Sequence, residues 1–156
     1  MMALRRVRDS QVITTQLVLP NDTNGLGNLL GGTLMHWIDI AAAIAAQRHA
    51  DRVCVTASVD ELNFHHPVRL GDVVTLQASV NRAFRTSMEI GVMVTAESRS
   101  GHDSRRANNA YLTFVAIDES GKPVDVPAII PETQDEIRRF DEALVRRERR
   151  LAHRSS

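Results

Sequence analysis

Residues 31–46, GGTLMHWIDIAAAIAA, are apolar on nearly every face of a helix and carry one charge, Asp39, near the middle. Such a helix must be buried, and burying a carboxylate costs several kcal/mol unless it is paired, hydrogen-bonded or neutralised. Carboxylates held in that way cluster at functional sites, where they move protons. The plainer alternative is a structural hydrogen bond to a neighbouring hydroxyl, an amide or His36, one turn earlier on the same face. Gly31 and Gly32 fall at the helix start, where unpaired N–H groups and the positive end of the dipole face outward. A plain tight start explains them equally well, since glycine is tolerated at an N-cap. Asn24, in Asp22-Thr23-Asn24-Gly25, reads by itself as turn chemistry.

Other patterns carry less. Gly25-x-Gly27 with Gly31 nearly spells a dinucleotide fingerprint, but Leu30 holds the place of the third glycine and no repeated βαβ unit follows. His65-His66, and His36 with Asp39, lack zinc-site spacing, so no metal is expected. Ser58 and Ser87 lack a Gly-x-Ser-x-Gly elbow. Cys54, the single cysteine, excludes an internal disulfide and reads as a small buried hydrophobe.

These residues must be positioned by one domain's worth of chain, 156 residues with zero formal net charge and spread-out basic residues. Neither a nucleic-acid footprint nor a polybasic membrane patch is indicated, and no apolar run reaches the ~20 residues of a membrane span. The start, MMALRRVRDS, lacks the apolar core of a signal peptide, so a cytoplasmic location is expected. Residues 11–19 read as a first strand, 21–28 as a loop, 53–64 and 73–80 as further strands. Met88, Ile90, Val92, Val94 and Ala96 alternate with their neighbours in the period of two of a half-buried antiparallel strand, and residues 110–116 repeat it after a polar turn around Gly101.

One long helix followed by four strands is not a doubly wound pattern. A helix of roughly 18 residues, about 27 Å long, must lie in a curved antiparallel sheet of five strands. One sheet covers only part of an all-round apolar helix, so a second subunit should complete the burial. From Pro131 the composition changes. Thr133-Gln134-Asp135-Glu136 has the form of a capping box, and Ile137, Phe140, Leu144 and Leu151 form an apolar stripe among many Arg and Glu. The expected organisation is one domain over residues 1–130 and a charged amphipathic helical tail over 131–156.

The strings Asp22-Thr23-Asn24-Gly25, Gly31-Gly32, Trp37-Ile38-Asp39, Ala45-Ala46 and Arg48-His49 resemble the first half of the hot-dog-fold acyl-CoA thioesterases, in particular the cytosolic brain-type and bacterial YciA-type hydrolases. Val55-Thr56-Ala57-Ser58-Val59-Asp60, Asn63-Phe64, Pro67-Val68, Gly71-Asp72-Val73-Val74 and Arg85-Thr86-Ser87-Met88-Glu89 follow in the family's order. The resemblance covers residues 14–114 and leaves the tail outside. It departs at Phe84, where the family usually has a glycine before the Arg-Thr-Ser turn.

The resemblance implies an α+β hot-dog fold, a five-stranded antiparallel sheet wrapped around a long central helix, here followed by the C-terminal amphipathic helix. It implies hydrolysis of an acyl-CoA thioester to fatty acid and CoA. Asp39 would be general base or nucleophile, Gly32 with Gly31 would polarise the carbonyl, and Asn24 would come from the opposite subunit to orient water or substrate. Thr56, Ser58, Val59, Arg85, Thr86 and Ser87 would bind the CoA moiety, with Arg82, Arg105 and Arg106 as other cations for its phosphates. No cofactor is implied, CoA being part of substrate and product. The assembly would be a homodimer and, by family analogy, a hexamer built as a trimer of dimers. A non-catalytic acyl-CoA-binding or regulatory module of the same fold is the rival, and the presence of both Asp39 and Asn24 argues against it. A dehydratase of this fold would want a catalytic His or Glu in the helix, and His36 lies one turn too early.

Overall fold

A computed structural model describes residues 4–64, 66–101 and 103–155; His65 and the side chain of Arg106 lie outside the described residues. The chain begins with β1 (Arg5–Arg6), a single helical turn α1 (Val7–Ser10) and β2 (Val12–Leu17), and a 3-10 turn over Pro20–Asp22 leads into the Asn24 loop. The central helix α2 (Gly31–Ala50) is followed by β3 (Cys54–Phe64), β4 (Val73–Ala83), β5 (Ser87–Glu97) and β6 (Ser104–Ala116), then β7 (Ile129–Ile130) and the C-terminal helix α3 (Gln134–Ser155). Five strands form one antiparallel sheet in the order β2-β4-β5-β6-β3, and β1 pairs with β7 apart from it. The five expected strands are thus present. Residues 7–10, just ahead of the first, form the α1 turn, and the polar hairpin around Gly101 is shorter than its composition suggests, with β6 already starting at Ser104.

The period of two in β5 sets the core. Met88, Ile90, Val92, Val94 and Ala96 are buried on the face that meets α2, beside Leu76 and Val80 of β4 and Leu112 and Phe114 of β6. The helix answers with Leu34, Ile38, Ala41, Ala42, Ala45 and Ala46, a stripe in which four alanines allow close approach to the sheet. At 20 residues it runs about 30 Å. It ends where Asp51 takes the left-handed conformation (φ 54°) and returns its N–H to the Gln47 carbonyl at 2.8 Å. The opposite side of α2 is uncovered within one chain, with His36 and Ile40 exposed, the latter by 44%.

The other face of the sheet carries α3, which meets β4 and sets only part of its apolar stripe against its own chain. Of Ile137, Phe140, Leu144 and Leu151 only Phe140 packs against the core; the others are 42%, 36% and 43% exposed. The inward face consists of Phe140 and Ala143 with Arg146, Arg147 and Arg150. Arg146 makes a two-pronged pair with Glu89 (2.7 and 2.9 Å) and lies over the Tyr111 ring at 3.6 Å, and Arg150 reaches Asp60 at 2.5 Å. The outer sheet face offers carboxylates and an aromatic ring, so arginine stems and guanidinium groups pack there in place of leucines. The capping box at the start of α3 forms with a shift: Thr133 Oγ1 accepts the Glu136 N–H at 3.1 Å, while Glu136 reaches back to the N–H of Glu132 at 2.9 Å.

Candidate active site

Asp39 sits in the second turn and a half of α2, half-buried at the margin of the face that meets the sheet. The Thr56 hydroxyl of β3 donates to its Oδ1 at 2.7 Å. Sheet register makes this meeting possible: Thr56 is paired with Phe114, a core residue, so its side chain shares the face on which α2 lies. The hydroxyl partner expected as one explanation of the buried charge therefore exists. Thr56 is exposed and Asp39 is half-buried, so the pair borders the open side of the helix and is not sealed within the core.

The first i→i−4 bond of α2 joins the Leu34 N–H to the Leu30 carbonyl at 3.1 Å. The amides of Gly31, Gly32 and Thr33 precede it, and Leu30 supplies no side-chain cap. Both glycines are exposed, and the space a Cβ on Gly32 would occupy is open to 4 Å. This end of the helix can therefore receive an oxygen that gains negative charge.

Asn24 holds its own loop. Its Oδ1 accepts the N–H groups of Leu26 (2.9 Å) and Asn28 (3.2 Å), which spends the carbonyl on the turn and leaves the amide NH2 for other partners. Within one chain no hydrogen bond among the described residues joins Asn24 to Asp39 or Thr56.

The remaining candidates divide between the two faces of the sheet. Val59, paired with buried Leu112, lies on the Thr56 face. Ser58 is paired with Thr113 across a bulge and faces outward, as does Ser87, whose Oγ accepts a bond from Arg147 of α3 at 3.4 Å. Arg85 has a side chain 84% exposed, 3.8 Å from Asp125, and the Thr86 carbonyl accepts the Ala116 N–H at 3.1 Å. Arg105 is occupied with Asp72 at 3.1 Å, while Arg82 donates to the Phe140 carbonyl at 3.1 Å. Sequence reading missed Arg147, on the inward face of α3, as a neighbour of the Arg-Thr-Ser turn; its only signal was an excess of arginine within a tail that the family resemblance does not cover.

Among the described residues no cluster of His, Cys, Asp and Glu is arranged to hold a metal ion, and no helix is long and apolar enough to cross a membrane. Burial pushes the Cys54 thiol up to about 11, which suits a core residue and not a nucleophile.

A long helix laid on a five-stranded antiparallel sheet, with a hydroxyl-supported carboxylate on its open flank and glycines at its start, is the hot-dog fold in the form used by thioesterases. The sequence profile of the thioesterase superfamily matches residues 26–101. The uncharacterized acyl-CoA thioester hydrolase YkhA of Bacillus subtilis is 42% identical over 142 residues, 91% of this chain and 83% of the relative. The cytosolic acyl coenzyme A thioester hydrolase of Rattus norvegicus is 40% identical over 85% of this chain, which spans only 35% of that longer protein. Among solved structures, an acyl-CoA hydrolase of Staphylococcus aureus in complex with butyryl coenzyme A, coenzyme A and coenzyme A disulfide superposes with a TM-score of 0.92 at 39% identity, over 97% of this chain and 93% of that one. Variants of the same enzyme with one aspartate, one asparagine or one threonine changed to alanine match as well. An apo-hexameric acyl-CoA thioesterase gives a TM-score of 0.94 at 39% identity, over 97% of both chains. The chain belongs to the acyl-CoA thioester hydrolases of the thioesterase superfamily.

Proposed function

We propose that this protein hydrolyses acyl-CoA thioesters to a free fatty acid and CoA, with Asp39 as the catalytic carboxylate. The observation that carries the reading is the 2.7 Å bond from Thr56 to Asp39 on the uncovered flank of α2. Acting as base, Asp39 takes a proton from water as the water oxygen attacks the thioester carbonyl carbon. The oxyanion formed is met by the amides at Gly31 and Gly32, the C–S bond breaks, and the CoA thiolate leaves with the proton that Asp39 returns. Acting as nucleophile, its oxygen attacks instead, expels the thiolate and gives an acyl anhydride that water then cleaves. A thiolate is a fair leaving group, so neither route needs a strong acid.

Thr56 fixes the orientation of Asp39 in both routes, and Asn24 of a second subunit completes the site. In the Staphylococcus aureus enzyme the asparagine, aspartate and threonine chosen for replacement stand fifteen and seventeen residues apart, the same intervals that separate Asn24, Asp39 and Thr56. A shared site is supported further by the surfaces one chain leaves open: β3 is an edge strand with Val55 and Val59 exposed by 44% and 41%, and Ile40 of α2 is exposed as well. Pairing of two copies would cover both, and a hexamer of three such dimers would follow the hexameric relative. A cytoplasmic location agrees with the cytosolic relative.

Release of free thiol from a panel of acyl-CoA esters tests the reading. Turnover by the wild type that Asp39→Ala abolishes supports it; CoA-ester binding without turnover would move the protein to a binding role.

A further inference from the structure

The C-terminal helix crosses the outer face of the sheet from one edge to the other. At its start Asp135 and Arg139 share a cleft with Val12 and Ile13 of the edge strand β2. Farther along, the Phe140 carbonyl accepts a bond from Arg82 of β4 at 3.1 Å, and the Arg82 guanidinium lies over the Phe140 ring at 3.8 Å. Arg146 then holds Glu89 of β5 and covers Tyr111 of β6, and Arg150 reaches Asp60 of β3, the opposite edge strand. The lengths agree with this path. From residue 140 to residue 150 the helix rises about 15 Å. From β4 to β3 the sheet spans three strand spacings, about 14 Å. The helix therefore lies nearly at right angles to the strands and meets them one after another.

The helix continues past the edge. Residues 151–155 carry it about 7 Å farther, roughly one and a half strand spacings beyond the strand that Arg150 holds. Among the described residues no strand of the sheet lies beyond β3. Leu151 and Arg154 follow Arg147 and Arg150 at intervals of four, on the side of the helix that seats on the sheet, and both are exposed, Leu151 by 43%. On the same outer face β3 presents Val55, which stands opposite Val115 and is 44% exposed. An edge of this kind, with free backbone groups and apolar side chains, accepts a further strand.

We propose that the overhanging end of α3 clasps a second copy of this chain. When two copies pair antiparallel along β3, residues 151–155 of each lie on the outer sheet face of the other, where Leu151 adds apolar contact. The geometry selects this occupant, because a subunit added at β3 continues the sheet directly beneath the overhang. The inference rests on the shared-site reading above, in which Asn24 of one subunit serves Asp39 of the other. It gives α3 a part in that site: the helix holds together two chains that each supply half of it.

Deletion of residues 151–156 removes the overhang and leaves Arg150 to hold Asp60. Sedimentation over a dilution series should show the shortened chain separating into monomers at a concentration at least about tenfold above that for the wild type. Specific activity toward acyl-CoA should fall over the same dilution range, with kcat unchanged where the subunits are assembled. Leu151→Asp keeps the whole helix and should move both midpoints in the same direction. Photoreactive p-benzoylphenylalanine in place of Leu151 should join two wild-type-length chains covalently, through a peptide from β3 or α3 of the second copy. Unchanged midpoints in both variants, or photo-adducts formed only within one chain, overturn the proposal. A wild type that stays monomeric at every concentration and still hydrolyses acyl-CoA would instead defeat the shared-site reading on which it rests.

Discussion

Replacing Thr56 with valine removes the hydroxyl that holds Asp39 and keeps the branched shape. The bond lost is 2.7 Å long and its acceptor is a carboxylate. Hydrogen bonds to charged groups contribute about 1.5–3 kcal/mol, and the exposure of Thr56 places this one at the lower end. If the bond orients Asp39 for attack, most of that energy is lost from the transition state, and kcat falls about tenfold. KM should change little, because the hydroxyl is already engaged with Asp39. Global stability should change by less than about 1 kcal/mol, since an exposed strand position accepts valine readily. Steady-state thiol release against acyl-CoA concentration measures kcat and KM, and urea unfolding measures stability. Thr56→Ser restores the hydroxyl and should recover most of the rate. Unchanged kcat in Thr56→Val, or a loss that serine does not rescue, would refute a positioning role for Thr56.

Three further predictions follow from the packing. Arg146→Ala strands Glu89, which is 2% exposed, and should lower stability by about 3 kcal/mol, seen as a drop in the urea midpoint. His49 is wholly buried, with Nε2 2.7 Å from the Pro127 carbonyl, and desolvation lowers its pKa against the opposing pull of that carbonyl. The unfolded chain therefore binds the proton first. Stability should be full above the ordinary imidazole value of 6.5 and fall as pH drops from there to the depressed folded-state value, and His49→Gln should flatten that limb of a Tm-against-pH curve. Co-expression of Asn24→Ala with Asp39→Ala chains should restore about a quarter of wild-type turnover, because random pairing makes half the dimers mixed and each mixed dimer has one intact site. No recovery in mixed oligomers would rule out a site shared between subunits.

The central helix and its charge were legible because their signals are local. A run of apolar residues around Asp39, with glycines before it, marks a buried helix and its start at Gly31. The alternation in β5 marks its core face in the same way. The partner of Asp39 was not legible, since Thr56 lies seventeen residues away and faces the helix only through the register of β3 on β6. Bulges after Thr56 and Val59 break simple alternation, and Ser58 sits on the sheet face away from α2 for that reason. The seat of α3 on the sheet was not legible in the sequence, for a physical reason. An apolar stripe faces inward when the opposing surface is apolar, but Glu89, Asp60 and Tyr111 supply a polar seat that only the assembled sheet brings together. Phe84 stands out in the sequence only as a departure from the family pattern, and the arginine that α3 lays over its ring, Arg147, could not be foreseen there.

Hydrolysis of an acyl-CoA panel, from acetyl to palmitoyl, by wild type and by a folded, assembled Asp39→Ala variant tests the central claim most directly. The account predicts thiol release by the wild type with at least one chain length and its loss in the variant by several orders of magnitude. Wild-type rates retained in Asp39→Ala would contradict it.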